Sequence, residues 1–198
     1  MLAVGTDLIA KALAGDQSAL DSLLRPMLKP AYKLAYMMLR DREAAEDAVQ
    51  NAALKSWSKL SKLRPGSDPR PWFLGFVANE CRNMRRSRWR SVLKLGARDD
   101  IVAPSPTWVS DLDLQLALAR LSHQDRLVVL LHFYLDLPVD EVAIVTRSGA
   151  SATRSQLYRA VKRLKRDLGH KTIEGHCGKV SATHEHASRT TQDLDSRG

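Results

Sequence analysis

The stretch from Pro71 to Arg90 reads PWFLGFVANECRNMRRSRWR, and the remaining segments of the chain are organised around it. It opens with aromatic and apolar residues and ends in a run of arginines that contains no acidic residue. On an α-helix, Trp72, Phe76, Asn79 and Asn83 fall on one stripe. Rings and amides of this kind suit exposed bases, and guanidinium groups suit phosphates. A buried helix with a solvated basic end is the alternative, and residue types alone favour neither.

The chain as a whole carries an excess of positive charge. Its 198 residues include 31 Lys and Arg against 22 Asp and Glu, a net charge of +9. This balance favours a polyanionic partner, either nucleic acid or an acidic membrane surface. No apolar run is long enough to span a bilayer, and the first residues lack the pattern of a secretion signal. We therefore expect a cytoplasmic protein without membrane insertion, with its two cysteines, Cys81 and Cys177, as free thiols.

The first 90 residues are predicted to form a small helical domain. One amphipathic helix or two short ones are expected within residues 6–24, and Pro26 and Pro30 are expected to bracket a turn before a helix at 31–40. Asp41 is suited to cap the next helix, which is expected to end at Leu60. Residues 61–70 contain Pro-Gly and Asp-Pro pairs, which predict a loop before the helix that starts at Pro71.

The second half of the chain is predicted to contain a flexible linker and a second helical domain. Glycine, aspartate and proline interrupt any period at 91–111, which indicates the linker. Residues 112–168 are helical in pattern, with a break near Ser122. A helix at 139–146, a turn at 147–150 and a helix at 151–168 indicate a helix-turn-helix. Its second helix has a basic outer face, which is typical of a helix placed in the major groove of DNA, although a plain helical hairpin fits the same pattern. The predicted fold class is all-α, with two small helical domains.

Residues 169–198 lose all periodicity and are predicted to be a disordered tail. The tail holds His170, His176, Cys177, His184 and His186, but their spacings match no familiar zinc motif. We therefore predict no metal site and no cofactor, and the role of this tail stays open.

Two blocks of sequence, in this order, resemble a bacterial sigma factor of the extracytoplasmic-function (group IV) type of the sigma-70 family. The first is DREAAEDAVQNAALKSW at 41–57 followed by the 71–90 stretch, and it is similar to region 2 of that family. The second is LARLSHQDRLVVLLHFYLDLPVDEVA followed by SATRSQLYRAVKRLKRDL, and it is similar to region 4. The resemblance implies that the first domain contacts core RNA polymerase and the opened −10 element, and that the second reads duplex DNA at −35. It also implies contacts with the β′ clamp and the β flap of polymerase and, as in many relatives, with an anti-sigma factor.

The resemblance further implies roles for individual residues. The surface that grips the coiled coil of the β′ clamp would consist of Asp41, Glu46, Asp47, Gln50 and Asn51. The −10 element would be met by Trp72, Asn79, Arg82, Asn83, Arg85, Arg86 and Arg88. Among these, Asn79 matches the asparagine that helps to hold a flipped base. The −35 element would be met by Arg154, Ser155, Tyr158, Arg159 and Lys162.

The second block also departs from the family pattern. Thr146 and Ser148 stand where apolar residues are usual, which predicts a less tightly packed turn. Gln156 stands where Arg or Lys is common, which predicts a changed −35 preference or a weaker phosphate contact.

Two other functions compete with that of a sigma factor. A stand-alone helix-turn-helix regulator would bind duplex promoter DNA without polymerase. An enzyme is not expected, because no segment offers paired carboxylates beside a histidine, a phosphate-cradling glycine loop, or a nucleophile with a base.

Overall fold

A computed structural model describes residues 2–63, 67–95 and 112–168. Within these ranges, side chains are described at 7–63, 67–88 and 114–168. All regular structure in these ranges is helical, which confirms the predicted all-α class. The predicted linker beyond Leu95 and the predicted tail beyond Leu168 lie outside the described residues.

The first domain is built from four helices around an aliphatic core. They are α1 (Leu2–Leu13), α2 (Gln17–Leu39), α3 (Arg42–Ser58) and α4 (Pro69–Leu95). Ala45, Ala48 and Ala52 recur along one side of α3 and are fully buried. Their small side chains let α3 lie close to both α2 and α4, where Leu34 and Phe73 fill the centre of the domain.

Helix α2 corrects the predicted turn at Pro26 and Pro30. It is continuous from Gln17 to Leu39, with both prolines inside it. Each proline removes one main-chain hydrogen bond and disfavours a helix by about 3 kcal/mol. Leu23, Met27 and Leu34 continue one buried stripe past the prolines, and burial of this stripe outweighs that penalty.

Helix α4 is longer at both ends than the sequence pattern predicted. It begins at Pro69, because the Asp68 carboxylate accepts a hydrogen bond from the Arg70 main-chain N–H at 2.8 Å and proline is favoured in a first turn. It ends at Leu95, so five residues of the predicted linker are helical. No glycine or proline occurs between Gly75 and Gly96, and a formed helix extends at little cost until such a residue.

The second domain contains the helix-turn-helix. Its helices are α5 (Leu112–Arg120), α6 (His123–Val129), α7 (Val139–Thr146) and α8 (Ala150–Leu168), with a π-helical turn at Leu130–Tyr134 after α6. The break expected near Ser122 is confirmed: the Ser122 hydroxyl accepts a hydrogen bond from the Asp125 N–H at 3.1 Å and caps α6.

The turn between α7 and α8 is closed by hydroxyl groups, which corrects the expectation of a loose turn. The hydroxyl of Ser148 lies 2.7 Å from those of both Thr146 and Thr153. The Thr153 hydroxyl also donates to the Gly149 carbonyl at 3.0 Å, and Thr153 is fully buried. Arg147 takes the left-handed conformation that ends α7. Hydrogen bonds therefore replace the apolar contacts that the family pattern would place here.

The two domains pack against each other, with α7 lying across α4. At Gly75 the approach is close, because an added Cβ atom would lie 3.9 Å from the Val145 carbonyl oxygen. The Arg70 guanidinium donates to the Leu135 carbonyl at 2.5 Å. Arg126 reaches the Met38 carbonyl at 3.4 Å.

Candidate nucleic-acid and partner interface

Four of the five residues predicted to bind polymerase form one exposed polar face on α3. They are Glu46, Asp47, Gln50 and Asn51, and all four are exposed. Their spacing places them on consecutive turns of the helix. The face borders a shallow groove between α2 and α3 with a largely apolar lining, to which Leu28, Tyr32, Val49 and Ala53 contribute.

Asp41, the fifth residue, has a different environment. Its carboxylate accepts a hydrogen bond from the Ala44 N–H at 2.9 Å and so caps α3. It also pairs with the guanidinium of Arg88. The Ala44 N–H and then Arg88 hold the pKa of Asp41 below its usual value. Two residues assigned to different partners, Asp41 and Arg88, therefore contact each other.

The aromatic stripe on α4 forms a half-buried platform. The rings of Trp72 and Phe76 meet edge to face with centroids 4.9 Å apart. The Lys59 ammonium lies 5.9 Å from the centre of the Phe76 ring. Asn79 is half-buried one turn farther along, and Asn83 is exposed. The stripe expected from the spacing is thus present, with its polar end toward solvent.

A buried carboxylate beside Asn79 was not singled out from the sequence. Glu80 is only 5% exposed. Its Oε1 atom lies 2.8 Å from the Lys55 ammonium and accepts a long hydrogen bond of 3.5 Å from the Asn79 amide. Glu80 therefore restrains the amide that is expected to meet a base. The available signal was a lone acidic residue inside a basic stretch, and its partner Lys55 comes from another helix.

The four arginines of α4 that are predicted to meet DNA have two different environments. Arg86 and Arg88 are exposed, and Arg88 is held by Asp41. Arg82 and Arg85 lie on the side of α4 near His123 of the second domain. Burial, helped by the charges of Arg85, Arg126 and Arg82, lowers the pKa of His123 to about 4, so its ring is neutral. Neither ring nitrogen of His123 has a hydrogen-bond partner within the described ranges.

The buried Cys81 lies on the inner side of α4. Burial raises the pKa of its thiol to about 12, so it is uncharged and unreactive in the folded state. Cys177 lies outside the described residues.

Helix α8 brings together all five residues predicted to meet the −35 element. Leu157, Ala160 and Leu164 are buried on its inner side. The outer side exposes Arg154, Ser155, Tyr158, Arg159 and Lys162. Tyr158 is 68% exposed, which is unusual for an aromatic side chain that has no ligand to meet.

Gln156 does not belong to this outer face, because its side chain turns toward α6. Its amide donates to the Asp125 carboxylate at 3.1 Å, and Arg163 donates to the other oxygen of the same carboxylate at 2.5 Å. The residue that departs from the family pattern is thus engaged inside the domain.

Within the described ranges, no helix is both long and apolar enough to cross a membrane. The same ranges contain no cluster of three or more His, Cys, Asp or Glu side chains that could hold a metal ion. The histidines of the predicted tail lie outside them.

An exposed polar helix face, an aromatic-basic helix and a basic helix-turn-helix define a two-domain helical protein that binds DNA and a protein partner. Family models identify it further: residues 23–91 match Sigma-70 region 2, and residues 111–164 match Sigma-70 region 4. The chain belongs to the sigma-70 family, as a sigma factor of the extracytoplasmic-function type. It binds core RNA polymerase and directs promoter recognition and transcription initiation.

Individual relatives are distant in sequence but cover most of the chain. RNA polymerase sigma factor SigV of Bacillus subtilis is 25% identical over 142 residues, which are 69% of this chain and 83% of SigV. ECF RNA polymerase sigma factor SigM of Mycobacterium tuberculosis is 26% identical over 165 residues, 83% of this chain and 84% of SigM.

Solved structures show the same fold. The sigma factor RpoE, solved with the anti-sigma factor NepR from Bartonella quintana, is 25% identical with a TM-score of 0.67, covering 75% of this chain and 96% of RpoE. CnrH, solved with the cytosolic domain of CnrY, is 22% identical with a TM-score of 0.66, covering 85% of this chain and 99% of CnrH.

Proposed function

We propose that three separate surfaces divide the work of this sigma factor: α3 binds core polymerase, α4 holds the opened −10 element, and α8 reads −35 duplex. The observation that carries this proposal is the exposure of matching residue types on each helix, while the opposite side of each is packed in a core. In this proposal the region 2-like domain spans residues 1–90, the linker 91–111 and the region 4-like domain 112–168, with α4 running into the start of the linker.

On α3, Glu46, Asp47, Gln50 and Asn51 contact the coiled coil of the β′ clamp directly. These side chains are exposed and offer acceptors and amides to a partner helix pair. Asp41 contributes by capping the helix that carries them, since its carboxylate is already engaged by Ala44 and Arg88.

On α4, the Trp72–Phe76 pair and the restrained amide of Asn79 form one side of a pocket for a base extruded from the non-template strand. Extruding a base costs a few kcal/mol, and a preformed platform lowers the cost of opening the duplex. The cations that follow, Arg82, Arg85, Arg86 and Arg88, bind the backbone on the upstream side, and Arg88 exchanges its pair with Asp41 for a phosphate when it does so. Asn83 lies one helical turn beyond Asn79 and would meet the same DNA strand.

On α8, Arg154, Ser155 and Tyr158 reach base edges in the major groove, and Arg159 and Lys162 meet phosphates. Recognition helices place their N-terminal residues at the bases, and the exposed residues of α8 begin in its first two turns. In this proposal the β flap of polymerase also contacts the region 4-like domain.

The surrounding biology follows from these contacts. The phosphodiester chemistry of transcription belongs to the polymerase, and this chain contributes no catalytic group. Its place is the cytoplasm, where polymerase and promoter are. An anti-sigma factor is a further partner, because RpoE, with a similar fold, is solved with one.

A stand-alone helix-turn-helix regulator is the second candidate. It would use α8 alone, and it leaves the exposed face of α3 and the platform of α4 without a role. The two functions differ in whether the protein redirects polymerase.

The deciding experiment is transcription in vitro from a genomic promoter library, with purified core polymerase of the same bacterium in the presence and absence of the full chain. We expect defined start sites only when the protein is present, with shared sequences at −10 and −35. Binding to duplex DNA without any redirection of core enzyme would favour the stand-alone regulator instead.

A further inference from the structure

The Asp125 carboxylate on α6 accepts hydrogen bonds from two side chains that lie two turns apart on α8. The Asp125 side chain accepts a hydrogen bond from the Gln156 amide at 3.1 Å on one oxygen and from the Arg163 guanidinium at 2.5 Å on the other. The two donors are seven residues apart and therefore lie on one side of α8. Asp125 is 7% exposed, and the Ser122 cap fixes its main chain.

Gln156 and Arg163 lie beside the face of α8 that is proposed to meet DNA. At about 100° per residue, the five exposed residues from Arg154 to Lys162 occupy an arc of roughly 140°. The buried residues Leu157, Ala160 and Leu164 occupy the opposite arc. Gln156 and Arg163 fall on the border between the arcs, and Arg163 lies only about 40° from Arg159. A free arginine at this border, with its long flexible side chain, would reach the same phosphate strand as Arg159.

We propose that Asp125 is a positioning residue that withholds Arg163 and Gln156 from DNA and fixes the rotation of α8, an inference that rests on the proposed role of α8 at −35. If Arg163 and Gln156 turned toward DNA, the Asp125 carboxylate would stay buried without a partner. The cost of that unpaired charge keeps both donors on Asp125. Arg163 is half exposed at the rim of the domain and is nevertheless paired with an acidic group 38 residues away in the chain. The set of cations that meets promoter phosphates is thus limited by an internal acid. Gln156, where the family often has a cation, belongs to the same internal cluster.

The salt dependence of binding separates a phosphate contact from a structural one. Each cation that neutralises a phosphate contributes about 0.9 to the slope of log affinity against log salt concentration. We would measure this slope for holoenzyme, assembled from core polymerase and the full chain, on a promoter recovered from the library experiment. We expect Arg159→Gln to lower the slope by about 0.9 and Arg163→Gln to leave it unchanged.

Releasing Arg163 provides the complementary test. In an Asp125→Asn background the charge that holds Arg163 is gone, and we expect Arg163→Gln to lower the slope there by about 0.9. Asp140→Asn is the matched control, because it neutralises an exposed acid on α7 of the same domain and changes net charge equally. In that background Arg163→Gln should again leave the slope unchanged.

The outcomes are distinguishable. A slope lowered by Arg163→Gln in the otherwise unchanged protein would show that Arg163 already contacts phosphate, and the inference would be wrong. An unchanged slope for Arg159→Gln would overturn the role of α8 itself, and the inference with it. Should Asp125→Asn fail to fold in a thermal melt, the comparison of Arg163→Gln with Arg159→Gln still decides, since both side chains are at the surface.

Discussion

At the residue scale, Asn79 has the most specific environment of the residues expected to meet DNA. It is half-buried after the Trp72–Phe76 pair, and its amide is restrained by Glu80, which is itself held by Lys55. A side chain whose rotation is already limited by burial and by a neighbour loses less entropy when it binds a base than a free side chain does.

We expect Asn79→Ala to impair open-complex formation while leaving affinity for core polymerase unchanged, because we propose that α4 meets DNA at this point and that α3 binds polymerase. Permanganate footprinting of the −10 region and a core-binding titration would measure the two steps. Ser22→Ala, an exposed change on α2, is the control. Normal duplex opening by the Asn79 variant would remove this residue from the proposed pocket.

Two substitutions of Asp41 separate the effect of its helix cap on stability from the effect of its charge. We expect Asp41→Ala to lower the free energy of unfolding by about 1 kcal/mol, the typical value of a helix N-cap, and Asp41→Asn to lower it by less because asparagine also caps. The pKa of Asp41 is lowered in the folded protein, so its charge stabilises the fold above the unfolded value of 3.8. That contribution is lost as pH falls through the folded pKa, and Asp41→Asn should lack this part of the acid dependence.

Urea denaturation between pH 7 and pH 3 would measure these differences. In a core-binding titration, Asp41→Asn should behave as the unchanged protein does if Asp41 acts through the cap. Equal losses of polymerase affinity in Asp41→Asn and Asp41→Ala would return Asp41 to the contact surface.

Pairs such as Asp41–Arg88, Lys55–Glu80 and Asp125–Arg163 show why the site was only partly predictable. The exposed faces of α3 and α8 follow from periodicity, and the sequence was sufficient to place them. The partners of these three acids come from other helices, 25 to 47 residues away, and no local pattern encodes them. They also show the surroundings of Gln156, which stands where the family often has a cation and whose amide donates to a carboxylate on α6.

At the element scale, α2 shows where local rules failed. The prolines predicted a turn, but a buried stripe on both sides of them keeps the helix continuous. The helix-turn-helix was predicted with its limits nearly correct, because the periodicity of its two helices and the basic outer face of the second agree with their packing. Local prediction succeeds where propensity and burial favour the same structure and fails where burial overrides propensity.

We expect Pro26→Ala to raise the free energy of unfolding by about 1–3 kcal/mol. Pro26 is exposed, so alanine loses no packing there, and it restores a main-chain donor to the helix. Alanine at the exposed Lys29 of the same helix is the control, which should change stability by no more than about 0.5 kcal/mol. Urea denaturation would measure both, and a loss of stability in Pro26→Ala would mean that proline is favourable at this position of α2.

At the scale of the whole molecule, the packing of α7 on α4 is incompatible with simultaneous contact at −10 and −35. The two elements lie about 25 base pairs apart, or roughly 85 Å along the duplex. Two packed domains of this size place their centres roughly 25–30 Å apart. The 16 residues between Leu95 and Leu112 can span about 55 Å when extended, enough for the second domain to move to −35. We therefore expect the domains to separate when the protein joins polymerase on a promoter.

Two substitutions of Gly75 test whether the domains separate, one that should keep them packed and one that should not. A Cβ atom there would have ordinary contact distances of 3.9 and 4.0 Å to the main chain of Val145, so Gly75→Ala should leave the domains packed. A leucine would extend beyond that space into the α7 backbone, so Gly75→Leu should separate the domains in the free protein.

Fluorophores on Ser22→Cys of α2 and Gln124→Cys of α6, both exposed positions in different domains, would report the distance by energy transfer. Cys177→Ser removes the competing thiol, and Cys81 stays unlabelled because burial raises its pKa to about 12. We expect high transfer in the free protein and in Gly75→Ala, and low transfer both in Gly75→Leu and in holoenzyme bound to promoter DNA. Low transfer in the free, unsubstituted protein would mean that α7 does not stay on α4 in solution, and high transfer on the promoter would mean that −35 is read without separation of the domains.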